Sequence, residues 1–142
     1  MLVHATTLQI AGHGVLILGD SGSGKSDLAL RLIAEGALLV ADDQTCVTCQ
    51  DGRLVATAPP LIAGRIEARG IGIFAAPRIE SATLRLAVQL AAGPLERLPE
   101  TSSWHPPGSV AGTPHLPLIA LAAFEPSASI KLRMALIAVL RA

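Results

Sequence analysis

Apolar residues in this chain come in short unbroken runs separated by glycine- or proline-containing breaks, a pattern that predicts a sheet-dominated fold with few helices. Val3 to Ala11 reads as a strand closed by Gly12-His13-Gly14, and Val15-Leu16-Ile17-Leu18 as a wholly apolar, buried strand. The period then changes. From Lys25 to Glu35, the apolar positions Leu28, Ala29, Leu32 and Ile33 lie on one face of a helix of about three turns. Gly36 is placed to stop that helix. Leu38 to Ala41 predicts a further buried strand, ending in Asp42-Asp43.

CVTC and LVAT flank Gln50-Asp51-Gly52-Arg53, a hairpin with Asp-Gly at its turn. Pro59-Pro60 breaks the chain, Arg65 to Ala75 is a glycine-punctuated strand-like stretch, and Ala82 to Leu90 alternates as a strand. Ala91 to Pro117 is rich in Pro, Gly and Ser and is expected to be loop. His13, between two glycines, is expected in a turn, and Trp104-His105 in the Pro-rich loop is a candidate partner contact or surface anchor. Ser127 to Ala142 predicts a closing amphipathic helix with Ser127 or Ser129 as its cap. Its Lys and Arg side chains are candidates to meet an acidic partner surface. No repeat or linker divides the chain, so residues 1–142 are expected to form a single α/β domain.

Composition narrows the function. The chain has 51% apolar and 15% charged residues, a well-buried globule rather than a disordered tail. Lys+Arg and Asp+Glu balance at 11 each, without a basic cluster, and aromatics are 2%; a nucleic-acid partner is therefore not expected. No apolar run has the length of a membrane span, and the first residues lack a signal-peptide pattern, so a cytoplasmic location is expected. Cys46 and Cys49 sit three apart on a predicted strand, where their side chains diverge, and no second ligand pair accompanies them.

The chemistry begins at Gly19-Asp20-Ser21-Gly22-Ser23-Gly24-Lys25-Ser26, which matches G-x-x-x-x-G-K-[ST] at every fixed position. The glycines let successive N–H groups converge on phosphate oxygens, Lys25 brings a positive charge to the β- and γ-phosphates, and Ser26 offers a hydroxyl to Mg²⁺. An apolar strand precedes this P-loop and a helix follows, with its positive dipole end aimed at the anion. A strand returning after the helix, parallel to the one before the loop, brings Asp42 and Asp43 beside the phosphates. Adjacent strand residues face opposite ways, so one carboxylate serves the metal and the other an acceptor hydroxyl. In RIEARGIGIF, Glu67 and Arg69 share a strand face, a carboxylate for Mg²⁺ beside a guanidinium for phosphate, with Gly70 and Gly72 permitting close backbone approach.

GDSGSGKS, LVADD and IEARGIGI together resemble the catalytic domain of the HPr kinase/phosphorylase family, over nearly the whole chain and most strongly from His4 to Ile73. The resemblance implies a P-loop-containing mixed sheet like that of phosphoenolpyruvate carboxykinase. It also implies ATP- and Mg²⁺-dependent phosphorylation of a seryl residue of HPr, the phosphocarrier of the sugar phosphotransferase system. The short proteobacterial form, without the N-terminal domain of longer members, is expected, as is a homo-oligomer, hexameric in the family. His4 corresponds to the family histidine, Lys25 and Ser26 to the P-loop pair, Asp43 to the proton acceptor, and Glu67 to the second Mg²⁺ ligand, with Arg69 in its E-x-R-G motif. LERLP nominates Arg97 as the mobile-loop arginine. Asp27 replaces the usual Glu after the P-loop serine. EPSASIK replaces the late R-P-G-R-N stretch associated with removing phosphate from the serine, which leaves the reverse activity open; Lys131 is the candidate to supply missing charge. Two other readings stay open: a small-molecule kinase on the same scaffold, and a non-catalytic ATP-sensing module.

Overall fold

The computed structural model describes residues 1–142. In chain order the elements are β1 (Leu2–Val3), β2 (Ala5–Ile10), β3 (His13–Leu18), α1 (Lys25–Ala34), β4 (Leu38–Ala41), β5 (Thr45–Gln50), β6 (Arg53–Thr57), β7 (Arg65–Ala68), β8 (Gly72–Ala75), β9 (Ser81–Leu90), β10 (Ser102–Trp104), β11 (Leu116–Leu121) and α2 (Ala128–Arg141). Nine strands form one curled mixed sheet and β7–β8 a separate ribbon. The expected strand-rich α/β class is what folds.

The sheet grows around β9, which runs parallel to β3 on one side. On its other side it pairs with β6 antiparallel near its start and with β11 parallel near its end. Beyond β3 come β2 and β4, each antiparallel to its neighbour. β4 therefore points the same way as β3, as expected, with β2 between them. The C-terminal ends of β3, β4, β9 and β11 lie along one sheet edge, and that edge carries the chemistry.

Two cores follow from strand alternation. Leu8, Val15, Ile17, Leu86 and Val88 face the helices and pack with Leu28 and Leu32 of α1 and Leu132 and Leu136 of α2. Leu16, Val47, Leu54 and Leu84 fill the inside of the curl. Both helices are bound to the first face by their apolar stripes, and α1 grips α2 through polar contacts as well. Glu35 at the end of α1 accepts hydrogen bonds from Ser129 Oγ and Arg133 Nε, both at 3.0 Å.

Local departures from expectation have plain causes. The predicted Val3–Ala11 strand bends at His4, because Leu2–Val3 pair with β5 while Ala5 onward pairs with β3. The following turn is Ala11-Gly12, both with positive φ (50° and 85°), so His13 is the first residue of β3 rather than a turn residue. Asp51 and Gly52 (φ 51° and 74°) form the expected hairpin turn. Arg65–Ala75 is a hairpin of two short strands, not one strand-like stretch. The expected 91–117 loop contains β10, which pairs with β11. Gly36 ends α1 as expected, with φ 107°. Neither Ser127 nor Ser129 caps α2 by its side chain, since Ser129 is spent on Glu35. Cys46 and Cys49 are free thiols on β5. No helix is long and apolar enough to cross a membrane.

Leu28 is fully buried where α1 meets the sheet. Leu28→Ala is expected to lower unfolding free energy by about 2–5 kcal/mol in a urea titration. Val110→Ala, at an exposed site between β10 and β11, is expected to stay within about 0.5 kcal/mol of the parent.

Candidate active site

The Gly19–Ser26 loop leaves β3 and turns directly into α1. Gly22 (φ 80°) and Gly24 (φ 100°) hold left-handed conformations that other residues adopt only under strain. Ser23 N–H donates to Asp20 O at 3.0 Å, closing the loop's tight turn. Lys25 is buried, and its Nζ donates to Gly19 O at 2.7 Å and Asp20 O at 3.1 Å. The ammonium is thus satisfied by the loop's own carbonyls. Ser21 and Gly22 line a cavity of about 430 Å³ together with Lys25, Ser26, Asp43, Glu67 and Arg69.

Asp42 organises this cavity. It is buried, and its Oδ1 accepts from Thr6 Oγ1 at 3.0 Å and from Ser26 Oγ at 2.7 Å. Its Oδ2 accepts the Glu67 backbone N–H at 3.0 Å. One carboxylate therefore joins β2, the start of α1 and β7. A carboxylate has roughly four acceptor positions, so three donors satisfy it and leave one direction open. Thr6 also accepts the Asp43 N–H at 3.0 Å, so a single hydroxyl spans both aspartates. Thr6 has no sequence motif; its only signal is a hydroxyl within the run Val3–Ile10, and Thr6 is fully buried.

Asp43 faces the other way, but not through strand alternation. Its φ is 66°, a left-handed turn just past the end of β4, which swings its carboxylate outward. There its Oδ1 lies 2.8 Å from His4 Nε2, with His4 and Asp43 side chains 50% and 60% exposed. The pair stands at the mouth of the cavity, open to a large partner. The bend at His4 between β1 and β2 is what places the imidazole there.

Glu67 and Arg69 both line the cavity, as expected, but Arg69 lies in the turn beyond β7 rather than on the strand. Its Nη1 would come within 3.4 Å of a β-carbon at Gly22, so the guanidinium hangs over the phosphate loop. Gly70 and Gly72 do not serve close approach. A β-carbon at Gly70 would meet nothing within 4 Å, and their φ values of 88° and 146° show that they are needed for the hairpin's backbone. Arg97 is not brought to this cavity. It lines a separate one of about 1130 Å³ with Glu125 and Lys131.

The oxygen donors Ser26, Asp42 and Glu67 fit a hard divalent cation. Mg²⁺ takes one or two carboxylates with water and nucleotide phosphates for the rest. No thiolate lines the cavity, and the imidazole at its mouth, His4, is paired with Asp43.

The segment between β11 and α2 closes the far side of the loop. A β-carbon at Gly24 would approach Ala123 Cβ to 2.8 Å and Phe124 Cζ to 3.0 Å, so only glycine fits there. Arg31, in the last turn of α1, holds this corner: it donates to Glu125 O at 3.1 Å and to Ala123 O, and pairs with Asp27 at 3.3 Å. Arg31 and Phe124 carry no motif, because their partners lie more than 90 residues away in sequence or across the fold.

Residues 1–89 match the family model described as HPr Serine kinase C-terminal domain. The HPr kinase/phosphorylase of Clostridium botulinum (strain Eklund 17B / Type B) is 42% identical over 72 residues, 51% of this chain and 24% of that protein. That of Lacticaseibacillus casei (strain BL23) is 47% identical over 73 residues, 51% of this chain and 23% of that protein. The matched stretch thus spans about a quarter of the length of these curated relatives. Among solved structures, the Hpr(Ser) kinase/phosphatase from Coxiella burnetii superposes with a TM-score of 0.79 at 27% identity, covering 99% of this chain and 96% of that one.

Thr6→Val keeps the shape of the side chain while removing the donor to Asp42 and the acceptor for Asp43 N–H. It is expected to cost about 1–3 kcal/mol in denaturant unfolding, whereas Thr48→Val on the exposed face of β5 should change stability by less than about 0.5 kcal/mol.

Proposed function

Because the chain belongs to the HPr serine kinase C-terminal domain family, we propose that it is an ATP- and Mg²⁺-dependent protein serine kinase acting on an HPr-like phosphocarrier protein. The observation that carries this is Asp43: a carboxylate turned out of the cavity by a left-handed backbone, paired with His4 and open to solvent beside the phosphate loop. A base enclosed in the cavity would suit a small acceptor; one standing at its mouth suits a hydroxyl carried on another protein. The scaffold in this proposal is the P-loop-containing, phosphoenolpyruvate carboxykinase-like one.

The triphosphate lies in the Gly19–Ser26 loop, its charge met by backbone N–H groups and Lys25. Ser26, Asp42 and Glu67 are the residues that would hold Mg²⁺, which would supply charge neutralisation to the bound nucleotide. The acceptor serine approaches Asp43, which orients the hydroxyl and takes its proton as the new O–P bond forms. The bond to the bridging oxygen breaks, and ADP leaves. His4 holds Asp43 in place through the 2.8 Å contact, and Arg69, over Gly22, faces the transferred group's oxygens. Positioning and charge supply the rate, since phosphoryl transfer needs little covalent help from the protein. Arg97, one cavity away, is assigned no step.

The reverse reaction, with inorganic phosphate attacking the phosphoserine, uses the same carboxylate. EPSASIK supports only a weak form of it: Lys131 is its single basic residue, and it is paired with Glu125 at 2.6 Å. Homo-oligomer formation, hexameric by family, belongs to the same proposal; Ile130, Met134 and Ile137 supply an exposed apolar stripe on α2.

The test is label transfer from γ-labelled ATP with Mg²⁺ to an HPr-like protein. Asp43→Asn is expected to cut transfer by roughly 10²–10⁴-fold with ADP affinity retained. Label passing to a small molecule instead would point to a small-molecule kinase. ATP binding without any transfer by the wild type would leave a sensing module and overturn the proposal.

A further inference from the structure

The corner between β11 and α2 has a feature that the phosphate chemistry leaves unused. Phe124 is 71% exposed, yet the edge of its ring is fixed against Gly24 of the phosphate loop. The chain has only two Phe, one Trp and no Tyr. Phe74 lies on β8, in the ribbon whose turn lines the cavity beside Glu67 and Asp43, and Trp104 lies on β10. Phe124 is therefore the aromatic ring set against the loop on the side away from Asp43.

Topology says which part of the donor points there. Asp43 follows β4, the phosphate loop follows β3, and Phe124 follows β11, with all three strands pointing to the same edge. The loop thus stands between Asp43 and Phe124. In-line transfer puts the attacking and leaving oxygens on opposite sides of phosphorus. With the acceptor at Asp43, the leaving diphosphate and its nucleoside run toward the β11–α2 corner. Leu121 and Glu125, on either side of Phe124 in sequence, line the cavity of about 1130 Å³ that opens there.

We propose that Phe124 is the stacking platform for the base of the nucleotide donor, and that Arg31 is the positioning residue that holds the platform against the phosphate loop. The ring offers a face to solvent while its edge is held by Gly24 and Ala123–Glu125 are pinned by Arg31. A platform fixed before binding costs little order when the base stacks on it. This rests on the nucleotide being the phosphoryl donor, and deepens that reading by naming what holds its base.

The experiment compares ADP with inorganic tripolyphosphate, which fills the phosphate loop but has no base, by calorimetric titration of the full chain with Mg²⁺. Phe124→Ala is expected to weaken ADP binding roughly tenfold and to leave tripolyphosphate within about twofold. Phe124→Trp should restore ADP affinity and Phe124→Leu should not; Arg31→Gln should follow Phe124→Ala in direction. Equal losses for both ligands would show that the ring only shapes the loop, and would overturn the proposal. So would unchanged ADP binding, or rescue by Leu as complete as by Trp. Selective loss of ADP in a protein that labels no acceptor would keep the platform and remove the kinase assignment, so the two fail separately.

Discussion

The site is built on one buried carboxylate. Asp42 accepts from Thr6, Ser26 and the Glu67 backbone, and these donors come from three elements that do not otherwise share a polar contact. A buried charge is tolerated only when it is met by hydrogen bonds or opposite charge, and removing a donor leaves a costly group behind. That cost makes Asp42 an organiser. β2, the helix after the loop and the β7–β8 ribbon must arrive together for the carboxylate to be satisfied. Once they do, Ser26 and Glu67 are brought to the same cavity, with one acceptor direction of Asp42 left over.

The neighbouring aspartate has the opposite fate because of one backbone angle. At φ 66°, Asp43 turns out of the sheet edge and is paired with His4 at the mouth of the cavity. Thr6 couples the two, donating to Asp42 and accepting from Asp43 N–H. Two chemically identical side chains therefore sit in different environments one residue apart. One is buried and ties three elements together; the other is exposed at the mouth of the cavity. On the far side, Arg31 and Gly24 bind the β11–α2 corner to the same loop, so the loop is braced on both sides.

Much of this was legible in the sequence where the signal is local. The phosphate loop is a contiguous motif, α1 shows its period and its Gly36 stop, and LLVADD marks a buried strand ending in acid. The rest depends on pairing that no window contains. Thr6 matters because β2 lies between β3 and β4, and His4 because β1 and β2 take different partners. The outward turn of Asp43 is legible as an outcome but not as a mechanism, since strand alternation suggests the same result for a different reason. β11 was hidden by Pro117; its ladder with β9 begins only at Leu118, past the residue that lacks an N–H. Arg97 was nominated by local resemblance, and the fold sets it in another cavity.

The division of labour between Asp42 and Asp43 is the central claim, and the Mg²⁺ dependence of ADP affinity tests it most directly. Calorimetric titrations with and without Mg²⁺ should be run on the wild type, Asp42→Asn and Asp43→Asn. Mg²⁺ is expected to tighten ADP binding in the wild type and in Asp43→Asn, and to lose most of that effect in Asp42→Asn. Loss of the Mg²⁺ effect in Asp43→Asn, with Asp42→Asn behaving as wild type, would contradict the assignment.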